Sequence, residues 1–114
     1  MPIRVFIKRH IKEGREEEAI AMLNQFRHMA KKQPGYLSGE TLINHFDSRS
    51  ITIISSWQKI EDWMHWQNRA ERAANEAMIE GLLEQPTKYE IYDVSSIRGR
   101  LFSRDTGHGF DDVS

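Results

Sequence analysis

The chain contains no cysteine. That excludes disulfides, thiolate nucleophiles and Cys-ligated metal sites, and it makes the cytoplasm the expected location. Charge of one sign is also missing: 16 Lys and Arg stand against 17 Asp and Glu, a formal net charge of −1. Such a balance supplies no field for nucleic acid, and no basic run supplies a local one. No apolar run approaches the roughly 20 residues that a bilayer requires. The opening Met-Pro-Ile-Arg-Val-Phe-Ile alternates too regularly for a secretory leader. Nucleotide-binding and hydrolytic signatures are absent too. Gly107-His108-Gly109 follows no strand and opens no helix, and Ser55-Ser56 lacks the glycines of a nucleophile elbow. No two of the five histidines share a helix at metal-ligand spacing, so no metal site is expected.

What is present fits one soluble domain with one modest core: 114 residues, 39% hydrophobic and 29% charged. Its densest apolar feature is the set Trp57, Trp63 and Trp66, within ten positions. Ile3, Val5 and Ile7 alternate with Arg4, Phe6 and Lys8, which predicts a first strand over Ile3 to Ile11. After the Gly14 turn, Ala19, Met22, Leu23, Phe26, Met29 and Ala30 recur with helical period, so a helix is expected from about Arg15 to Lys32. Glu16, Glu17 and Glu18 suit its start, Lys31 and Lys32 its end, and Pro34-Gly35 stops it.

Tyr36 to Phe46 reads as a second strand, with Gly39 marking a bulge or a close backbone approach. Asp47 to Ser50 reads as a polar turn and Ile51 to Trp57 as a third strand, giving an antiparallel hairpin. Ile51 and Ile53 point one way and Ile54 the other, so both sheet faces carry bulk and a partner subunit is expected on the second. From Lys59 to Leu83 the pattern is helical, with Ile60, Trp63, Met64, Ala70, Ala74, Ala77, Met78 and Leu82 as its stripe. Gln67 and Glu71 interrupt that stripe. Either the helix breaks near Gln67 to Arg69 and restarts in a new register, or those groups line a cavity. Lys88 to Val94 reads as a fourth strand. Residues 1–94 thus form one domain, and 95–114 an appendage, flexible or packed on a partner subunit.

Strand, helix, strand, strand, helix, strand is the split βαβ order. It predicts an α+β, ferredoxin-like fold with a four-stranded antiparallel sheet and helices on one face. The other face is then left for a homodimer contact.

These residues resemble the antibiotic biosynthesis monooxygenase family, over roughly Pro2 to Val94. The resemblance lies in the Gly14 turn, the Pro34-Gly35-Tyr36-Leu37 junction, Trp57 at a strand end, and Ile60, Glu61 and Trp66 after it. It implies a dimeric α+β barrel with a small-molecule cavity in each subunit between sheet and helices. Some members of that family oxidise polycyclic aromatic phenols to quinones with dioxygen and no cofactor, some degrade haem, and many have no known activity. In the haem-degrading branch a tryptophan nine positions after the strand-end tryptophan is catalytic, and Trp66 stands there. The branch's first-strand asparagine is Ile7 here, and its iron-ligating histidine falls in Ala74-Asn75-Glu76, which has none.

The resemblance therefore implies first a cofactor-independent oxygenase acting on an aromatic or quinol-like molecule. Second comes a non-catalytic small-molecule-binding or structural dimer, and third a haem-binding monooxygenase. Under the first reading Trp66, Asn75 and His45 are the catalytic candidates. Trp63, Trp66, Gln67, Glu71, Phe26 and Asn44 are the substrate-binding candidates, with Asp62 a further polar group. Trp57 and Trp63 read first as plain core packing between helix and sheet, and Trp66, toward the edge of the stripe, equally as core or as pocket rim.

Overall fold

The computed structural model describes residues 1–95. The appendage expected over 95–114 lies outside the described residues apart from Ser95. Seven elements follow one another: β1 (Ile3–His10), α1 (Glu16–Ala30), β2 (Tyr36–Asn44), β3 (Asp47–Trp57), α2 (Ile60–Gln67), α3 (Ala70–Glu80) and β4 (Lys88–Asp93). The strands make one antiparallel sheet in the order β2-β3-β1-β4. This is the ferredoxin-like arrangement, with β1 and β3 at its centre and the helices over one face.

Period-two alternation decides which side chains β1 buries. Ile3, Val5 and Ile7 face the helices and are buried, while Arg4 and Lys8 are exposed on the opposite face. Arg9 has the same parity as Ile7 and is buried with it, 4% exposed. The core falls into two clusters. Ile11, Ala19, Leu23, Ile51, Ile79, Leu82 and Leu83 pack at one end. Ile3, Val5, Ile7, Trp57, Trp63 and Trp66 pack at the other. Each fully buried tryptophan removes on the order of 200 Å² from water, about 5 kcal/mol of transfer free energy before entropy is charged against it. Ile53 touches both clusters from the sheet.

Two expectations need correction, and one open alternative is decided. The hairpin turn is not at Asp47 to Ser50, since those residues already belong to β3 and the chain reverses at His45 and Phe46. Asn44 fixes that reversal, its Oδ1 accepting from the backbone N–H of Phe46 at 2.9 Å and of Asp47 at 3.1 Å. Of the two alternatives for the second helical segment, the break near Gln67 to Arg69 is the one the structure shows. Arg69 is extended, at φ −72° and ψ 142°, and α3 starts again after it. The single stripe drawn from Ile60 to Leu82 therefore fails in its second half, where Ala70, Ala74, Ala77 and Met78 are exposed. The break rotates α3 so that Arg72 and Ile79 are buried instead.

Glycine is required at Gly35. Its φ of +84° is costly for any other residue, and a Cβ there would overlap the Asp62 carboxyl. Gly39 answers the question posed by its place in a strand. A register shift lies beside it at Tyr36 and Ser38, and the Tyr36 hydroxyl occupies the space a Cβ would fill.

Candidate functional site

A hollow opens between α1, α3 and the sheet, where the two core clusters separate. Its cavity volume is about 60 Å³, and it widens into open solvent at the mouth. Apolar side chains dominate its walls, with Leu23 and Phe26 from α1 and Ile7 and Ile53 from the sheet. Tyr36 closes one side, its ring set edge-on to Trp57 at 5.4 Å. Arg27 crosses near the mouth, donating from Nη2 to the Gly39 carbonyl at 2.9 Å.

The floor is polar and nearly dry. Arg9 of β1 donates from Nη2 to Glu76 Oε2 of α3 at 2.6 Å, and the two side chains are 2% and 16% exposed. Tyr89 of β4 donates its hydroxyl to Glu76 Oε1 at 3.0 Å and accepts from Arg72 Nη2 at 3.2 Å. Arg72 Nη2 also lies 3.5 Å from Glu76 Oε2. The Arg72 guanidinium sits over two rings, its central carbon 5.0 Å from the Trp63 centroid and 5.7 Å from that of Tyr89. Burial pushes the Tyr89 phenol above its ordinary value, and the Arg72 charge opposes that shift in part. The buried Nε of Arg9 and Nε1 of Trp63 have no hydrogen-bond partner among the described residues.

Among the residues singled out from the sequence, Phe26 lines the hollow. Trp63 and Trp66 are buried in the core cluster behind it. Asn75 is half-buried on α3, its Nδ2 3.2 Å from the Met29 sulfur, one residue from the floor carboxylate. Gln67 is half-buried at the end of α2. Glu71 is exposed and paired with Arg69 at 2.6 Å. Asn44 and His45 are exposed at the hairpin reversal, where the His45 ring meets Phe46. The structure thus brings Phe26, Trp63 and Asn75 near the hollow and leaves Asn44 and His45 at the far end of the β2–β3 hairpin.

Arg9, Arg72 and Glu76 carry the polar chemistry of this floor, and sequence reasoning missed all three. Two signals point to them. Arg9 continues the buried parity of Ile3, Val5 and Ile7. Arg72, Asn75, Glu76 and Ile79 recur at helical spacing once α3 starts afresh after Arg69.

No histidine lines the hollow among the described residues. His10 pairs with Asp47 at 3.0 Å, and His28 and His65 are exposed. The Asp47 carboxyl is held below its ordinary value, first by the Arg49 backbone N–H and also by His10. Among the described residues, the side chains lining the hollow include no imidazole to ligate a haem iron. Among the described residues there is also no group of three or more His, Cys, Asp or Glu placed to hold a metal ion.

The model of the family described as antibiotic biosynthesis monooxygenase matches residues 2–77. No curated protein matches the sequence. Solved structures share its fold at low identity. SnoaB, a cofactor-independent oxygenase from Streptomyces nogalater, is 12% identical with a TM-score of 0.73, over 84% of this chain and 96% of that one. A conserved protein from Methanosarcina mazei is 15% identical with a TM-score of 0.76, over 81% and 91%. Rv0793 from Mycobacterium tuberculosis is 10% identical with a TM-score of 0.77, over 84% and 97%.

Proposed function

Since the chain belongs to the antibiotic biosynthesis monooxygenase family, we propose that it is a small oxygenase that needs no bound cofactor and acts on an aromatic or quinol-like molecule. One observation carries this reading: an apolar-walled hollow with a dry, charged floor lies between helices and sheet. In this reading a flat ring enters from the mouth and lies against Phe26 and Ile53, with the tryptophans behind making the wall rigid. The protein's contribution is to bind the ring, orient its hydroxyl and exclude water. The substrate, once deprotonated, reduces dioxygen itself. One oxygen atom enters a ring carbon, the other leaves as water, and the phenol becomes a quinone. SnoaB, a cofactor-independent oxygenase of the same fold, supports that chemistry by analogy.

Within this proposal Phe26 keeps its expected wall role, and Trp63 acts from beneath Arg72. Asn75 stays a candidate polar contact through its place beside Glu76. The chain works as a homodimer through the open sheet face, where Phe6 meets Tyr92 edge-on at 5.2 Å and Leu42 is exposed. We place it in the cytoplasm, in keeping with the lack of cysteine, and no helix of the described residues is long and apolar enough to cross a membrane. Oxygen uptake across a panel of electron-rich phenols tests the activity. Consumption above the protein-free rate is expected for at least one class, and none across a broad panel would refute it.

A further inference from the structure

The charges around the hollow do not cancel. Arg9, Arg27 and Arg72 line it against Glu40 and Glu76, an excess of one positive charge. The excess is not confined to the solvated mouth, because the floor alone holds two guanidiniums and one carboxylate. A buried charge without a counter-charge is costly, and a ligand of opposite sign removes that cost. The donors are also underused. Glu76 accepts from Arg9 and Tyr89, while Arg9 Nε has no partner. Among the described residues, the hydrogen bond of Arg72 runs from Nη2 to Tyr89, and its Nε and Nη1 make none. Arg72 is 7% exposed as a residue, yet its Nε and Nη1 are not among the fully buried donors, so they stay open to a ligand from the hollow. Arg9 Nε is the guanidinium donor left buried without a partner.

We infer that the hollow selects its ligand as a monoanion, an apolar ring whose ionised oxygen group lies against Arg72, with Arg9 reinforcing the field. A guanidinium fork suits a carboxylate or an ionised phenol better than any neutral group, and its stacking on Trp63 and Tyr89 holds the fork in place. Arg72 is then the specificity-determining residue and the walls supply affinity without discrimination. This inference rests on the hollow being the ligand site proposed above, and it is independent of the oxygen chemistry.

The test is a tryptophan-fluorescence titration of the full chain with three ring-matched probes at about pH 8. Naphthoate carries a carboxylate, a nitronaphthol is ionised as a phenolate, and naphthalenemethanol stays neutral. At least one anion is expected to bind about tenfold or more tighter than the neutral probe. Which anion wins tells a carboxylate ligand from a phenolate one. Arg72→Met is expected to erase that preference and Arg72→Lys to restore part of it, with thermal melting recorded for each. The probe comparison on the unaltered protein stands even if Arg72→Met fails to fold. Equal binding of all three probes, or an anion preference that survives in folded Arg72→Met, would overturn the inference. Anion binding without oxygen uptake would leave it intact and remove the oxygenase reading. Oxygen uptake from neutral phenols with no anion preference would do the reverse.

Discussion

Arg9 and Glu76, 67 positions apart in the chain, meet at 2.6 Å beneath the hollow, where β1 faces α3. The pair ties sheet to helix at the point where the two core clusters part. Its two halves are not equivalent. Removing Arg9 leaves Glu76 with Arg72 and Tyr89, whereas removing the Glu76 charge leaves two buried guanidiniums facing each other. Glu76→Gln is therefore expected to cost about 3 kcal/mol and Arg9→Met about 1–2 kcal/mol. Urea unfolding of both variants checks the order, and a larger loss in Arg9→Met would contradict it.

Tyr89 gives the floor a pH signature. Its phenol is pushed above the ordinary value of 10.0, chiefly by burial. A raised folded-state value means that the native protein keeps this proton longer than the unfolded chain does. The associated stability is fully present below about pH 10 and is lost as pH climbs past it. Phenolate absorbance should show Tyr89 ionising late, and Tyr89→Phe should remove that component and flatten the alkaline fall in Tm. The control is Tyr92, exposed and also pushed up, by its hydrogen bond to Glu90. Its late ionisation should persist in Tyr89→Phe.

Gly35 sets the approach of α2 to the end of α1. Its carbonyl accepts from the Gln58 N–H at 2.8 Å, and its positive φ turns the chain into β2. Gly35→Ala adds a left-handed strain and an overlap with Asp62, so a loss of about 1–3 kcal/mol is expected. Gly14→Ala has a similar φ but open space around it, and is expected to cost less. Thermal melts of the two variants side by side provide the comparison.

The open sheet face gives a prediction of assembly. Phe6, Ile54, Leu42, Tyr92 and Val94 present apolar surface there, among Arg4, Lys8 and Glu90. Light scattering should return twice the chain mass of 13.4 kDa, and Ile54→Lys should return the monomer. A monomeric parent protein would refute the dimer.

Much of the fold was legible because one physical quantity, apolar periodicity, decides it. Ile3, Val5 and Ile7 announce a strand and its inner face, and Leu23 and Phe26 announce the inner stripe of α1. The reversal at His45 and Phe46 was misplaced because Asp47 to Ser50 is turn-like in composition yet is drawn into β3 by pairing along β1 and β2. The site was harder to read. Its walls obey the hydrophobic pattern, but its floor is made of charged residues that a composition-based reading assigns to solvent. Burying Arg72 depends on the turn at Asn68 and Arg69, which resets the face of α3, and on Trp63 and Tyr89, which cover its guanidinium. None of that pairing is local in sequence.

In the proposed reaction, substrate is held inside the hollow walled by Phe26 and floored by Arg72. Thr41 lines its mouth from an exposed position on β2, so Thr41→Trp fills the entrance without disturbing the core. Oxygen uptake by this variant on the best phenol found for the parent protein is the direct measurement. At least about a tenfold fall in kcat/KM with an unchanged Tm is expected, a transition-state loss of about 1.4 kcal/mol. Full activity in a folded Thr41→Trp protein would contradict it.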